Sequence, residues 1–286
     1  MSRFLDECAA FVRTLPVGPI RIAEARADGS VETVAFQPAN ACQNVYSVAK
    51  AFAMTAVGLL WDRGLLRLED KVCGVLAEEL PETGMDERWR GSTVEMALTH
   101  RLGLPEGFLD IDVTPSTQFG RDYLRYMLTW PLAYEPGAES RYSDGAYYLI
   151  SRIVEKKAGL PLDDFLWREL LFPLGFQEMA WSHCPMGHPM GATGLYIGAA
   201  DMAKLGLLYL NGGVCEGRRL LSQAWTRLAL EKGYAFYDVD DGLYGKGGMH
   251  GQMLLMDARR RRAVAVQAYD ADTDAIVGWI REQRAL

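Results

Sequence analysis

The chain is poor in the residues that build disulfide frameworks and metal sites. Among its 286 residues are five cysteines and four histidines, and none of them forms a CxxC or HExxH pattern. Cysteines that are scattered and odd in number argue against a disulfide framework and favour a reducing compartment. His183, Cys184 and His188 form a local cluster, but Pro185 and Pro189 favour an ordinary loop over a zinc site. We therefore expect no metal site.

Long apolar runs and an excess of positive charge are also missing. No stretch of about 18 apolar residues occurs, so we expect no membrane span. The first residues, Met1–Glu7, are not followed by the apolar core and cleavage site of a secretory leader, which predicts a cytoplasmic location. The formal net charge is −7, from 30 basic and 37 acidic residues. This balance argues against nucleic acid or an anionic membrane as a partner.

The periodicity of apolar residues predicts a mixed α and β protein. The basic run Arg259–Arg262 is expected to be the solvated tip of a hairpin rather than a polyanion site. A second hairpin is expected to turn around residues 28–30. The remaining predicted elements are helices over residues 2–15, 49–60, 145–158, 198–211, 222–231 and 271–283, and strands over 19–26, 31–37, 253–256 and 263–268.

The most informative motif is Ser47-Val48-Ala49-Lys50, at the start of the apolar run that ends at Leu60. Residues three apart on a helix are neighbours, which puts an amine within reach of a hydroxyl. A serine hydroxyl becomes a strong nucleophile when an adjacent base takes its proton. A lysine can be that base if burial or a nearby cation lowers its pKa, and the apolar neighbours of Lys50 suit such a change. Taken alone, the motif also fits a helix N-cap serine followed by a surface lysine.

Two further segments carry polar groups in settings that suit a site. Tyr142-Ser143-Asp144 follows a Pro-Gly turn and precedes a predicted helix, so Tyr142 lies on a loop. Asp144 lies near the helix N-terminus, where an N-cap role is the simple alternative. Lys246-Gly247-Gly248 precedes Met249-His250-Gly251, and its glycines allow a backbone to approach a ligand closely. A flexible turn is the alternative for that segment.

Together and in this order, the three segments resemble the serine β-lactamase and penicillin-binding-protein superfamily. The class C β-lactamase and family VIII esterase branch is the most similar. Two other stretches resemble the family as well: Ala97–Pro105, with its Leu-Thr-His sequence, and Gly194–Gly213. The resemblance runs from about residue 20 to the C-terminus.

The resemblance implies an α+β fold of the β-lactamase and transpeptidase kind. It would contain an antiparallel β-sheet flanked by helices and an inserted, mostly helical domain. We expect residues 1–65 and 194–286 to form the sheet domain and residues 66–193 to form the helical domain. The active site would lie in the cleft between these domains.

The resemblance also implies roles for the site residues. Ser47 is the expected nucleophile, either Lys50 or Tyr142 is the expected general base, and Lys246 supplies positive charge. The backbone N–H groups of Ser47 and Met249 are expected to form the oxyanion hole. No cofactor or metal is expected to take part. The expected substrate-binding residues are Asp144, Gly247, Gly248 and His250.

Two positions depart from the family pattern. Asp144 stands where class C lactamases carry Asn, so a side chain that recognises amides becomes an acceptor-only carboxylate when ionised. Gly247 stands where a Thr or Ser hydroxyl often contacts a substrate carboxylate. Both departures weaken the case for a β-lactam substrate.

Three functions remain open on the sequence alone. The first is a serine hydrolase that acts through an acyl-enzyme on a small-molecule carboxylic ester or amide. The second is an enzyme that hydrolyses β-lactams, or a protein that binds β-lactams or D-Ala peptides. The third is a non-catalytic binding module that keeps the fold. The joint presence of Ser47, Lys50, Tyr142 and Lys246 argues against the third. The sequence gives no indication of the oligomeric state.

Overall fold

The chain forms two compact units in a computed structural model, which describes residues 1–285. The first, called here the sheet unit, comprises Met1–Val48, Leu170–Ala180 and the chain from Leu195 onward. The second, called the helical unit, comprises Ala49–Glu169 and Trp181–Gly194. Each unit is therefore assembled from more than one segment of the chain.

An antiparallel sheet of six strands forms the middle of the sheet unit. The strands of the chain are β1 (Arg21–Arg26), β2 (Val31–Ala35), β3 (Gln43–Asn44), β4 (Ala180–Trp181), β5 (Leu195–Ile197), β6 (Val214–Cys215), β7 (Arg218–Arg219), β8 (Tyr237–Asp240), β9 (Leu243–Gly248), β10 (Gln252–Asp257) and β11 (Arg262–Gln267). The large sheet has the order β2-β1-β11-β10-β9-β8, and each neighbouring pair is antiparallel. The short strands β3 and β5 pair with each other, as do β6 and β7.

The α-helices are divided between the two units. They are α1 (Arg3–Val12), α2 (Ala49–Asp62), α3 (Val72–Val75), α4 (Val94–Leu98), α5 (Tyr123–Thr129), α6 (Asp144–Ala158), α7 (Leu162–Leu166), α8 (Ala199–Leu210), α9 (Gln223–Lys232) and α10 (Thr273–Ala285). Helices α2 to α7 belong to the helical unit, and the others belong to the sheet unit.

Helices cover both faces of the large sheet. Successive side chains of a strand point to opposite faces, so a sheet covered on both faces has strands that are apolar along their whole length. Leu255 of β10 joins the core that includes α1 and α10. Its neighbour Leu254 faces α8, where a Cβ on Gly206 would come within 3.0 Å of the Leu254 side chain. Every residue of β10 and β11 is buried, as this arrangement requires.

Helix α2 is buried on all sides in the middle of the helical unit. Every residue from Ala49 to Leu60 is buried, and the helix contacts α6 and α7. A helix that is apolar all round is expected to be surrounded by protein. Lys50 is the one charged residue of this buried stretch, so its ammonium group needs polar partners inside the protein.

The predicted α+β class is confirmed, with an antiparallel sheet and flanking helices. The hairpin expected around residues 28–30 is the β1–β2 pair, with Gly29 at a φ of 85° in its turn. The helices expected over residues 198–211 and 222–231 are α8 and α9. The strands expected on either side of the arginine run are β10 and β11, which pair directly.

One part of the arginine-run prediction is wrong. Arg262 is not on a solvated tip but lies in β11, where it is 8% exposed. Its guanidinium lies 3.5 Å from the centre of the Phe4 ring and 3.5 Å from the carboxylate of Asp257, the residue opposite it on β10. A counter-charge and an aromatic face offset the desolvation of this cation, and neither partner could be read from the run itself.

Candidate active site

Ser47 lies in a 3₁₀ turn, Tyr46–Val48, that is followed directly by α2. The N–H of Tyr46 donates to Oδ1 of Asn44 at 2.9 Å. Tyr46 has a φ of 47°, a left-handed conformation that non-glycine residues adopt rarely. The backbone just before the serine is therefore held in a strained conformation, a feature that clusters at functional sites.

The end of β9 lies against this turn. A Cβ on Gly248 would come within 2.5 Å of the carbonyl oxygen of Val45 and 3.3 Å of the backbone nitrogen of Ser47. A residue without a Cβ is required for this approach. Met249 comes next and opens a second 3₁₀ turn, Met249–Gly251. The two backbone amides predicted for the oxyanion hole thus belong to adjoining segments of the sheet unit.

Lys246 is a buried cation on β9. It is 7% exposed, and its Nζ donates to the carbonyl oxygen of Gly247 at 3.0 Å. Lys246 is opposite Leu254 of β10, so strand pairing holds this segment. The alternative of a flexible turn is therefore wrong for Lys246-Gly247-Gly248.

His250 connects the Met249–Gly251 turn to the Tyr46–Val48 turn that contains the serine. Its Nδ1 lies 2.8 Å from Oδ1 of Asp270, and its ring stacks on Tyr269 with centroids 4.5 Å apart. The same ring makes a T-shaped contact with the Tyr46 ring, with centroids 5.2 Å apart. His250 has a φ of 59° and lies in a turn, so the alternative of a strand residue that faces solvent is wrong.

The ammonium group of Lys50 is fully buried within the helical unit. Its Nζ lies 2.6 Å from Oδ1 of Asp144 and donates to the carbonyl oxygen of Ala192 at 3.0 Å. It also lies 4.6 Å from the centre of the Tyr142 ring and forms a hydrogen bond with that side chain. The lysine therefore brings Asp144 and Tyr142, two other predicted site residues, to one point.

The charges around Lys50 favour its protonated form. Burial acts to lower the pKa of Lys50, but the Asp144 carboxylate and then the Tyr142 side chain raise it by more, so the pKa lies above its ordinary value. The lowered pKa expected from the apolar neighbours is therefore wrong. The counter-charge comes from a residue 94 positions away in the chain, which a local pattern cannot include.

Asp144 is the first residue of α6, but it is not the N-cap. Ser143 is the N-cap, and its Oγ accepts the N–H of Ala146 at 3.4 Å. The carboxylate of Asp144 instead contacts Lys50, and the residue is 4% exposed. The capping alternative is therefore wrong for Asp144.

Two more carboxylates lie beside Asp144. Asp110 and Asp112 each offer an oxygen, and these oxygens and one of Asp144 all lie within 4.8 Å of one another. Burial and then the charge of Asp144 raise the pKa of Asp110. Burial also raises the pKa of Asp112, although its side chain accepts a hydrogen bond from the Thr193 hydroxyl. Three carboxyl groups are thus clustered at the residue that contacts Lys50.

His100 holds the segment that carries Tyr142, a role that was not predicted from the sequence. Its ring packs on the Tyr142 ring with centroids 4.6 Å apart. Its carbonyl oxygen accepts the N–H of Arg141 at 2.8 Å, and its Nδ1 accepts the N–H of Ser143 at 3.3 Å. His100 therefore contacts Tyr142 and both of its chain neighbours. Its place in the Ala97–Pro105 stretch that resembles the family is the signal that points to it.

The predicted site residues fall into two groups, one in each unit. Lys50, Tyr142 and Asp144 are in direct contact within the helical unit, and Tyr142 is 42% exposed. Ser47 is three residues before Lys50 in a continuous helical stretch of the chain. The other predicted residues lie with Ser47 in the sheet unit, on β9 and the turn that follows it: Lys246, Gly247, Gly248, Met249 and His250.

The two histidines of the predicted loop each pair with a different carboxylate. Nε2 of His183 lies 2.7 Å from Oδ2 of Asp163, and Nδ1 of His188 lies 2.9 Å from Oε2 of Glu155. The N–H of Cys184 donates to the carbonyl oxygen of His188 at 2.8 Å and closes a turn. These contacts give the two rings separate structural partners.

A cavity of about 840 Å³ lies elsewhere in the sheet unit. It is lined by the turn between β1 and β2, the C-terminal half of α8 and the β6–β7 hairpin. Along the sheet this is the end at which Arg26 is opposite Arg262, whereas Gly248 is opposite Gln252 at the other end. None of the predicted site residues lines this cavity.

A family model described as Beta-lactamase matches residues 37–284. The chain belongs to the β-lactamase family. The match includes every predicted site residue, from Ser47 to His250. It confirms the resemblance to the serine β-lactamase and penicillin-binding-protein superfamily.

A curated relative of the chain is a penicillin-binding protein. The chain is 26% identical to penicillin-binding protein 4* of Bacillus subtilis (strain 168) over 151 residues, which are 49% of this chain and 30% of the relative. The chain spans less than a third of the length of the curated relatives it matches.

Two solved structures share the fold. A candidate 6-aminohexanoate-dimer hydrolase from Bacillus anthracis has a TM-score of 0.74 at 16% identity, over 93% of this chain and 77% of the other. A D-stereospecific amidohydrolase from Streptomyces sp. has a TM-score of 0.68 at 17% identity, over 95% and 96%. At these identities the two structures show a shared fold. Within residues 1–285, no helix has the length and apolar character needed to cross a membrane.

Proposed function

We propose that the protein is a serine hydrolase that cleaves a small-molecule carboxylic ester or amide through an acyl-enzyme. The observation that carries this proposal is the buried contact of Lys50 with Tyr142 and Asp144, three residues after Ser47 in a continuous helical stretch. A charged group is rarely found in an otherwise apolar helix unless it has polar partners and a functional role.

In the proposed reaction, Oγ of Ser47 attacks the acyl carbon and loses its proton to the Lys50–Tyr142 pair. The electrons of the carbonyl double bond move to its oxygen, which is stabilised by the N–H groups of Ser47 and Met249. The intermediate then expels the alcohol or amine, which takes the proton, and an acyl-enzyme forms. A water molecule then attacks the acyl carbon in the same way, Ser47 leaves, and the acid is released. Lys246, on β9, supplies positive charge.

Two features favour an ester or amide over a β-lactam. The carboxylate of Asp144 is engaged by Lys50 and, when ionised, cannot donate a hydrogen bond as an Asn would. Gly247 has no hydroxyl to bind a substrate carboxylate. The names of the two structural neighbours, a 6-aminohexanoate-dimer hydrolase and an amidohydrolase, are those of hydrolases outside the β-lactam class. The family model and the penicillin-binding relative support the β-lactam alternative.

The first test is the release of p-nitrophenol from p-nitrophenyl butyrate by the wild type and by Ser47→Ala. The wild type is expected to turn over, and kcat/KM of the variant is expected to fall by about 1,000-fold or more, because the nucleophile is gone. Ser30→Ala, in the turn between β1 and β2, is the matched control and should keep wild-type activity. Thermal unfolding of all three proteins checks that the fold is intact.

Equal activity of Ser47→Ala and the wild type would exclude Ser47 as the nucleophile. A chromogenic cephalosporin is tested beside the ester. Hydrolysis of the cephalosporin alone would favour the β-lactam alternative. Turnover of neither substrate by a folded wild type would favour the non-catalytic binding module.

A further inference from the structure

Asp144 is one of the two residues of the candidate site that depart from the family pattern, and it has a specific partner. The carboxylate and the Lys50 ammonium are 2.6 Å apart, and both side chains are almost completely buried, with 5% and 0% of their area exposed. An Asn at this position would offer a dipole to the lysine, whereas Asp offers a full negative charge. The charge of Asp144 therefore bears directly on the charge of Lys50.

The hydrogen bonds of Lys50 indicate which form it takes. Two of its acceptors, Oδ1 of Asp144 and the carbonyl oxygen of Ala192, have no proton to give, so Nζ must donate to both. A neutral amine could satisfy them, but it would leave a buried carboxylate without a counter-ion, and an uncompensated buried charge is strongly destabilising. An ammonium ion satisfies both acceptors and has a third N–H for the Tyr142 side chain.

We propose that Asp144 is a positioning residue that keeps Lys50 as an ammonium ion, so that Tyr142 rather than Lys50 takes the proton of Ser47. This inference rests on the proposed hydrolase function and assigns the general base within it. Lys50 then has an electrostatic role, because a cation beside a phenol stabilises the phenolate. Tyr142 is 42% exposed, whereas Lys50 is fully buried, so Tyr142 is the member of the pair that reaches the surface.

The proton balance of this assignment is complete. The Tyr142 phenolate takes the proton of Ser47 as Oγ forms its bond to the acyl carbon, and the electrons of the carbonyl double bond move to oxygen. Tyr142 then gives that proton to the leaving alcohol or amine as its bond to the acyl carbon breaks. Water loses its proton to Tyr142 in the second half, and Ser47 regains that proton when the acid leaves. Lys50 keeps its three protons throughout.

Two carboxyl groups beside Asp144 act in the same direction as Asp144. Asp110 and Asp112 lie beside Asp144, and they add negative charge to the surroundings of the ammonium whenever they are ionised. The Tyr147 ring centre lies 5.9 Å from Nζ, and the hydroxyl of Tyr147 donates to the carbonyl oxygen of Leu98. Removal of the Asp144 charge alone is therefore the sharpest way to change the charge of Lys50.

The test is the pH dependence of kcat/KM for p-nitrophenyl butyrate with the wild type, Asp144→Asn and Asp110→Asn. Without Asp144, burial dominates and Lys50 loses its proton at lower pH. If a charged Lys50 is required, Asp144→Asn moves the alkaline limb of the profile to lower pH and reduces kcat/KM near neutral pH by about 100-fold. Asp110→Asn makes the same charge change, and we expect it to shift the alkaline limb less than Asp144→Asn does. The introduced Asn keeps a side-chain oxygen that can accept the N–H of Asp112, so this hydrogen bond is retained.

A role for Lys50 as the general base would give a different pH profile. If Lys50 is the base, Asp144→Asn frees it, the acid limb moves to lower pH, and activity near neutral pH rises. That outcome overturns the proposal. A fall in activity without movement of either limb also overturns it, because it would mean that Asp144 has only a structural role.

A second measurement does not depend on turnover. Lysine side chains are labelled with ¹⁵N, and the Nζ signal of Lys50 is assigned by its absence from Lys50→Arg. The proposal requires the ammonium signal of Lys50 in the wild type near neutral pH, and its loss at lower pH in Asp144→Asn than in the wild type. A neutral Lys50 in the wild type would overturn the proposal. If no ester or amide is hydrolysed but Lys50 titrates as expected, the proposed function fails while the link between Asp144 and the charge of Lys50 stands.

Discussion

Tyr142 is held from two directions by side chains of the helical unit. Lys50 contacts its ring and its side-chain oxygen from the buried side, while His100 packs on the ring and binds the backbone on both sides of it. A reacting oxygen must stay within a few tenths of an ångström of its productive position, and small displacements reduce rates greatly. His100 should therefore influence the reaction through the position of Tyr142.

We predict that His100→Ala lowers kcat/KM about 10–100-fold, mainly through kcat, because Tyr142 loses both the ring contact and the anchor of Ser143. His100→Asn should retain much more activity. Its Oδ1 can accept the N–H of Ser143, and Asn tolerates the left-handed conformation of this residue, which has a φ of 56°. Steady-state kinetics of both variants with the nitrophenyl ester test this. Equal losses in the two variants would contradict a positioning role for His100.

The candidate site could be predicted from the sequence where it is local and not where it depends on distant partners. Ser47 and Lys50 are three residues apart in one helical stretch, so their spacing alone predicts that their side chains are neighbours. The raised pKa of Lys50 depends on Asp144, and the contacts of His100 with the Tyr142 segment join residues more than 40 positions apart. Contacts of this kind depend on how the helices and loops pack against one another. The periodicity of apolar residues along the chain gives no information about that packing.

At the scale of elements, apolar periodicity predicted several strands and helices that have a buried face, among them β1, β10, β11, α2, α6 and α8. It missed β8, a strand of only four, mostly exposed residues at the edge of the sheet. It also ended the last helix at residue 283, whereas α10 reaches Ala285. Arg284 explains the extension, since it bonds to the buried carboxylate of Asp257 and to the carbonyl oxygens of Asp240 and Asp241.

The packing of α8 on the sheet gives a prediction at this scale. Gly206 lies so close to the sheet that an added Cβ would be 2.8 Å from Cβ of Ala263, so Gly206→Ala should destabilise the fold by about 1–3 kcal/mol. Gly278→Ala is the matched control in α10, where nothing lies within 4 Å of the added Cβ. It should stabilise by up to about 1 kcal/mol, the difference in helix propensity. Urea unfolding of the two variants measures both changes, and a loss for Gly278→Ala equal to that for Gly206→Ala would contradict this account.

At the scale of the whole molecule, the family fold persists at sequence identities of 16–17% to the solved structures. What is retained is a pattern of buried faces, since cores tolerate many apolar substitutions if volume and patterning are kept. Each unit is also closed by contacts between distant segments. In the helical unit, Asp86 accepts from the guanidinium of Arg88 at 2.7 Å and from the N–H of Leu132 at 3.3 Å, so it ties two loops together.

This loop tie predicts how the stability of the molecule depends on pH. The hydrogen bond from the Arg88 side chain is the main cause that lowers the pKa of Asp86 to about 2 from an ordinary value of 3.8. A carboxylate whose pKa is lower in the folded state contributes stability that is complete above its unfolded pKa and is lost as the pH falls through its folded pKa. We therefore expect Asp86→Asn to cost about 1–2 kcal/mol near neutral pH, after allowance for solvent screening.

The difference between Asp86→Asn and the wild type should shrink as the pH falls from 3.8 towards about 2, the interval in which Asp86 is protonated in the unfolded chain but still ionised in the folded protein. Glu82→Gln makes the same charge change at an exposed residue of the same segment and should leave stability nearly unchanged at every pH. Urea unfolding of the three proteins, repeated from neutral to acid pH, gives the comparison. A deficit of Asp86→Asn that stays constant across this range would mean that the loop tie depends on shape and neutral hydrogen bonds, not on the charge of the carboxylate.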